Sequence, residues 1–123
     1  GHERVVELLI RRGAEVNLQS SDGLTALMIA ANNGHERVVE LLLQHGAEVN
    51  RHNSFDRTAL MVAANNGHGP SVDLLLQRGA EIDLQDSDGT SALTHAAIQG
   101  HEQVVDLMLQ RGAEVNRQNS FGR

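Results

Sequence analysis

The sequence repeats at one fixed interval, and that interval constrains the fold more than any other property of the chain. Gly-His stands at Gly1-His2, Gly34-His35, Gly67-His68 and Gly100-His101, each step being 33 residues. Gly-Ala followed by an acid and a β-branched residue begins at Gly13, Gly46, Gly79 and Gly112, again 33 apart. A hydroxyl residue followed by Ala-Leu begins at Thr25, Thr58 and Ser91 with the same step. Three markers in phase, with no insertion, define a tandem array in which a unit buries its apolar face only by stacking on its neighbours.

Within a unit the punctuation predicts two helices. Thr25 is placed to N-cap a short helix from Ala26 to about Asn33, where Ala30 and Ala31 permit close packing. Gly34 ends it. A second helix runs from about His35 to Gln44, with Val38/Leu42 and Val39/Leu43 four apart on one face. Gly46 follows, where a left-handed residue is wanted. The polar stretch 15–24 ends in Asp22-Gly23 and reads as a hairpin-like turn. Of the 123 residues, 40% are apolar but only Phe55 and Phe121 are aromatic, so the core is built from Leu, Val, Ile, Ala and Met.

These residues carry a family resemblance. Asp22-Gly23-Leu24-Thr25-Ala26-Leu27, Ala30-Ala31, Gly34-His35, Val38-Val39, Leu41-Leu42-Leu43 and Gly46-Ala47-Glu48-Val49-Asn50 together resemble the ankyrin repeat, and the likeness covers the whole chain. It implies an all-α solenoid of stacked helix-turn-helix units joined by hairpin-like loops, in a single domain. Residues 20–52, 53–85 and 86–118 are full repeats, 1–19 a partial one and 119–123 the start of another, giving seven helices. The family's usual Thr-Pro-Leu-His is Thr-Ala-Leu-Met twice here and Ser-Ala-Leu-Thr once, which removes the His commonly bonded to the Thr and predicts a less rigid turn. Asp56 stands where Gly23, Gly89 and Gly122 stand, and is expected at positive φ. Pro70 falls in the first turn of a second helix, where a missing N–H does no harm. The first helix, lacking a polar cap, is expected to expose Val5, Leu8 or Leu9. The chain therefore reads as a fragment of a longer array whose unlike ends could stack head to tail.

Composition and spacing argue against most chemistry. Net charge is −6, with ten Arg, no Lys and no basic run, so nucleic acid is not an expected partner. Apolar runs fall far short of a membrane span. No Cys is present for a disulfide or a thiolate zinc site. His2, His35, His68 and His101 form a ladder, but stacked helices lie about 8–10 Å apart and a metal needs ligands within about 2.0–2.3 Å. A structural role at the start of each second helix fits them better, and His45, His52 and His95 read as surface variation. Asp86-Ser87-Asp88-Gly89 has the look of a calcium loop, but its Gly comes two places early and the distal Glu is missing. No nucleophile elbow or phosphate loop occurs, so neither an enzyme nor a cofactor is expected.

Positions that differ between units are where recognition can be written. The resemblance places turn tips and first helices on a concave face. The tips are Ser21, Asp22 and Leu24; Ser54, Phe55 and Arg57; Ser87, Asp88 and Thr90. The first helices contribute Met28, Asn32 and Asn33; Met61, Asn65 and Asn66; Thr94, Ile98 and Gln99. A superperiod of 66 residues overlies the repeat, since Asn53-Ser54-Phe55-Asp56-Arg57 is echoed by Asn119-Ser120-Phe121-Gly122-Arg123. Either a two-repeat block was duplicated, or acidic tips alternate with Phe/Arg tips to match an extended ligand. The resemblance also implies hydroxylation by an asparaginyl hydroxylase at Asn17, Asn50 and Asn116, whose simpler role is bonding within the turn. The expected function is a non-catalytic protein–protein interaction module located inside the cell, in cytoplasm or nucleus. The alternatives are a structural spacer, a consensus-like engineered scaffold without a dedicated ligand, or an accessory domain of an enzyme.

Overall fold

Three hydroxyl groups set where the helices begin. The side chains of Thr25, Thr58 and Ser91 accept from the backbone N–H groups of Met28, Met61 and Thr94 at 3.2, 3.3 and 3.3 Å. Each capped residue opens a seven-residue helix in this computed structural model: α1 Ala26–Asn32, α3 Ala59–Asn65 and α5 Ala92–Ile98. The cap therefore survives the loss of the family's usual His, and in the third unit the Ser91 and Thr94 hydroxyls also meet at 3.2 Å. Each short helix is followed by a nine-residue one: α2 Glu36–Gln44, α4 Gly69–Gln77 and α6 Glu102–Gln110. Pro70 lies in the first turn of α4, as expected.

The structure describes residues 15–113, together with Arg4 and Leu8, both helical and exposed. Six helices and no strands are found among the described residues. Val5 and Leu9, the bulk of the expected first helix, and the tip with Phe121 and Arg123 lie outside them.

The helices form two layers, α1, α3 and α5 side by side in one and α2, α4 and α6 in the other. The core is one pattern translated by the repeat. Leu27, Leu60 and Leu93 are buried in register, as are Ala30, Ala63 and Ala96, and Leu42, Leu75 and Met108. The Ala rows let neighbouring backbones approach, which is why so small a set of side chains closes the interior.

Between units the contacts are specific. Nε2 of His68 donates to the Asn32 carbonyl at 3.0 Å, and Nε2 of His101 donates to the Asn65 carbonyl at 2.9 Å. The same rings lie over the glycine of the preceding unit. A Cβ on Gly34 would stand 2.6 Å from Nδ1 of His68, and one on Gly67 would stand 2.7 Å from Nδ1 of His101. Gly-His is thus a contact between units written as a dipeptide within them. Asn17 and Asn50 also bridge units, rather than bonding within one turn. Asn17 donates to the Gly46 carbonyl at 3.1 Å and accepts from the Glu48 N–H at 2.7 Å. Asn50 makes the same pair with Gly79 and Glu81 at 3.3 and 2.9 Å.

The turns are hairpin-like and joined at their tips. The Asn53 N–H donates to the Arg57 carbonyl at 3.0 Å, and an isolated bridge pairs His52 with Thr58. The Ser54 N–H reaches back to the Asp22 carbonyl, and the Ser87 N–H to the Phe55 carbonyl, both at 3.0 Å. Asp56 has φ +61° at the place where Gly23 has +81°, so the expected left-handed turn is present without its glycine.

One core position breaks the pattern. Ser71 stands where the other units carry Val38 and Val104, and its buried hydroxyl has no hydrogen-bond partner. Ser71→Val removes an unsatisfied polar atom and adds apolar volume suited to the site, so it is expected to stabilise the fold by about 1 kcal/mol. Chemical denaturation checks this; a lower midpoint for the variant contradicts it.

Candidate partner-binding surface

The capping hydroxyls also fix the helical phase of the exposed face. With Oγ of Thr25 on the Met28 N–H, the Met28 side chain turns inward with Leu27 and Ala31. Met28 and Met61 are accordingly 2% and 1% exposed. Both were expected to line a recognition surface; both are core residues instead, and only Met28 reaches the floor of a groove between α1 and α3. Thr94, the third member of that row, is half-buried. One residue later Ile29 is exposed and Val62 half-buried, while His95, at the same place in α5, is turned onto Asp86. Thr90 is a further correction: it is buried, with its N–H on Asp86 Oδ1 at 3.0 Å.

The remaining expected residues lie nearer the surface, each with its own partners. Asn32 and Asn33 are exposed, and Asn33 folds its amide onto the Ile29 carbonyl at 3.0 Å. Asn66 reaches across to α1, donating to the Asn32 carbonyl at 2.9 Å and to its Oδ1 at 2.8 Å. Asn65 is half-buried beside it. Ile98 is exposed at the end of α5, next to Gln99, which caps that helix with its backbone. Asp22 and Asp88 are exposed at their tips, and Leu24 is half-buried.

Phe55 and Arg57 come together as their spacing suggested. The guanidinium carbon of Arg57 lies 5.7 Å from the centroid of the exposed Phe55 ring, within cation–π range. Nε of Arg57 donates to Oδ2 of Asp86 at 3.3 Å. That carboxylate is the residue sequence reasoning missed. Its Oδ1 accepts from the Asp88 and Thr90 N–H groups at 3.0 Å each, and its Oδ2 also holds Nε2 of His95 at 2.9 Å. His95 is therefore a bonded, nearly buried side chain rather than surface variation. A signal for the turn half of this network existed. Ser20, Asn53 and Asp86 share one repeat position, all are short acceptors, and Asn53 Oδ1 takes the Phe55 and Arg57 N–H groups at 2.8 and 3.1 Å. Burial raises the Asp86 carboxyl, but the bonds from Thr90, His95, Asp88 and Arg57 outweigh it and hold its pKa below the usual aspartate range.

With both oxygens engaged in this way, the Asp86 carboxylate is poorly disposed to hold calcium. Among the described residues, no three His, Asp or Glu side chains gather as a metal site needs, and no helix is long and apolar enough to cross a membrane. Asn17 and Asn50 use both ends of their amides between units, and Asn116 lies outside the described residues.

A family model described as ankyrin repeats (3 copies) matches residues 1–86 and residues 52–119. No curated protein matches the chain.

Because the folded state holds Asp86 ionised more strongly than the unfolded state does, its contribution is present above the usual aspartate pKa and is lost as pH falls through the depressed one. Asp86→Asn keeps the acceptor for the turn N–H groups, as Asn53 does, but removes the charge facing Arg57 and His95. The variant is expected to melt below the parent at neutral pH, with the gap closing as pH drops beneath the usual carboxylate range. A gap that stays constant in melting curves across that range contradicts this account.

Proposed function

The chain belongs to the ankyrin-repeat family, and from that premise we propose that it is a recognition module binding a partner protein through its turn tips and first helices. Ankyrin repeats are generally non-catalytic protein–protein interaction modules. One observation supports placing the contact on this face: Ile29, Phe55 and Ile98 are 51%, 60% and 69% exposed there, although other apolar side chains of α1, α3 and α5 are largely buried. Exposed apolar groups that share a face are the usual mark of an interaction site. Phe55 beside Arg57 has the composition of a binding hot spot.

The mechanism is rigid presentation. Tips tied by the bonds from Ser54 to Asp22 and from Ser87 to Phe55 have already lost most of the freedom that binding would remove, so less entropy opposes association. Asp22 and Asp88 at the tips, with Asn33, Asn66 and Gln99 at the helix ends, form the polar rim of this surface.

Phe55→Ala and Ile29→Glu alter this face without entering the core. Each is expected to change stability by no more than about 0.5 kcal/mol and to weaken capture of a partner protein tenfold or more. Pull-down beside thermal melting checks both. Capture unchanged by both variants would place the contact on another surface, and no capture by the parent would favour the reading as a spacer or scaffold.

A further inference from the structure

One groove on this face differs from the next in a way that specifies its occupant. Between α1 and α3, Leu24, Ile29 and Val62 supply apolar walls and Asn32, Asn53 and Arg57 supply the polar lining. The hydrogen bonds already made settle which polar atoms remain. Asn66 Nδ2 donates to the Asn32 backbone carbonyl, so the Asn32 side-chain atom it also touches at 2.8 Å is the acceptor Oδ1. Nδ2 of Asn32 is left over. Asn53 Oδ1 is held by two backbone N–H groups, which leaves Nδ2 of Asn53. Arg57 gives only Nε to Asp86, which leaves its two terminal nitrogens. Every polar group left in the groove is a donor, and its one formal charge is positive.

The neighbouring position along the array lacks this set of unspent donors. Where the groove has Asn53, Arg57 and Val62, the next unit has Asp86, Thr90 and His95, and those side chains or their backbone are bonded to one another. Where it has Asn32, the next unit has Asn65, whose Nδ2 is already given to Asn66 Oδ1 at 3.3 Å. The donor set occurs once among the described units.

We propose that this groove binds an extended acidic peptide segment, with a carboxylate on Arg57, Asn32 and Asn53 and an adjacent aliphatic or aromatic side chain against Leu24, Ile29 and Val62. This deepens the interaction-module reading and rests on it. Charge complementarity inside the groove selects the anion, because a guanidinium presents paired donors that match a carboxylate. The acidic tips Asp22 and Asp56 lie on exposed turns, where salt screens them over about 8 Å at physiological ionic strength. Raised salt therefore weakens binding less than a surface ion pair alone would suggest.

The test is a random decapeptide library panned on the full chain, followed by titration of the best binder. Enriched sequences are expected to place Asp or Glu beside Leu, Ile, Val or Phe. Replacing that carboxylate by its carboxamide is expected to weaken binding about tenfold or more. The Asn32→Asp/Asn53→Asp variant keeps both structural acceptors, as Asp86 does naturally, while turning the two free donors into acceptors. It is expected to melt close to the parent, to lose the acidic peptide at least tenfold, and to gain affinity for the Lys version of it. Enrichment of Lys or Arg, equal binding of acid and amide, or no enrichment at all overturns the proposal. If peptides of another chemistry are enriched and Phe55→Ala still releases them, this proposal fails while the broader reading of the face stands.

Discussion

The imidazole of His68 lies over Gly34 and donates to the Asn32 carbonyl, and His101 repeats the contact over Gly67 with the Asn65 carbonyl. This interlock is the constraint on which the rest of the array depends. A short helix buries one side in its own unit and needs a neighbour for the other. The ring sets the distance and rotation at which that neighbour arrives, because only a residue without a Cβ leaves space beneath it. The carbonyl it satisfies belongs to the last turn of the preceding first helix, where no helical N–H is available. Packing, capping and repeat spacing are thus met by two residue types in one contact.

Register set in this way carries through to the surface. Once the helix pairs are in phase, Asn17 and Asn50 staple the loops at one edge, and the backbone bonds between tips join them at the other. Asp86 then links the interior to the face that carries Phe55. It closes its own turn, holds His95 on α5, and anchors Arg57 of the preceding tip, which in turn supports the exposed Phe55 ring. A side chain in contact with the outer face is therefore oriented by a carboxylate that is almost entirely buried.

The helices, their caps and the left-handed turn at Asp56 were legible in the sequence because they depend on local residues and a fixed spacing. The resemblance carried by the same motifs indicated the family, and the match over residues 1–86 and 52–119 agrees with it. The phase of the exposed face was less legible. Assigning Met28 and Met61 outward was a one-residue error around the helix, and only the position of the cap relative to the adjoining layer resolves it. Thr90 looked like a tip residue, but it is buried and its N–H is spent on Asp86. Asp86 and His95 were hidden for a different reason: they are nine residues apart and meet only after the turn folds against α5. The bridging roles of Asn17 and Asn50 were likewise hidden, since their partners lie in the following unit.

The interlock is tested most directly by a double-mutant cycle on Gly34→Ala and His68→Ala, measured by chemical denaturation. In the parent, Gly34→Ala meets both an unfavourable φ of +72° and the His68 ring. With the ring removed only the backbone penalty remains, about 1 kcal/mol. The account predicts that Gly34→Ala costs at least about 1 kcal/mol more in the parent than in the His68→Ala background. Additive effects would contradict it, and would mean that the recurring Gly-His pair ends helices without holding the units together.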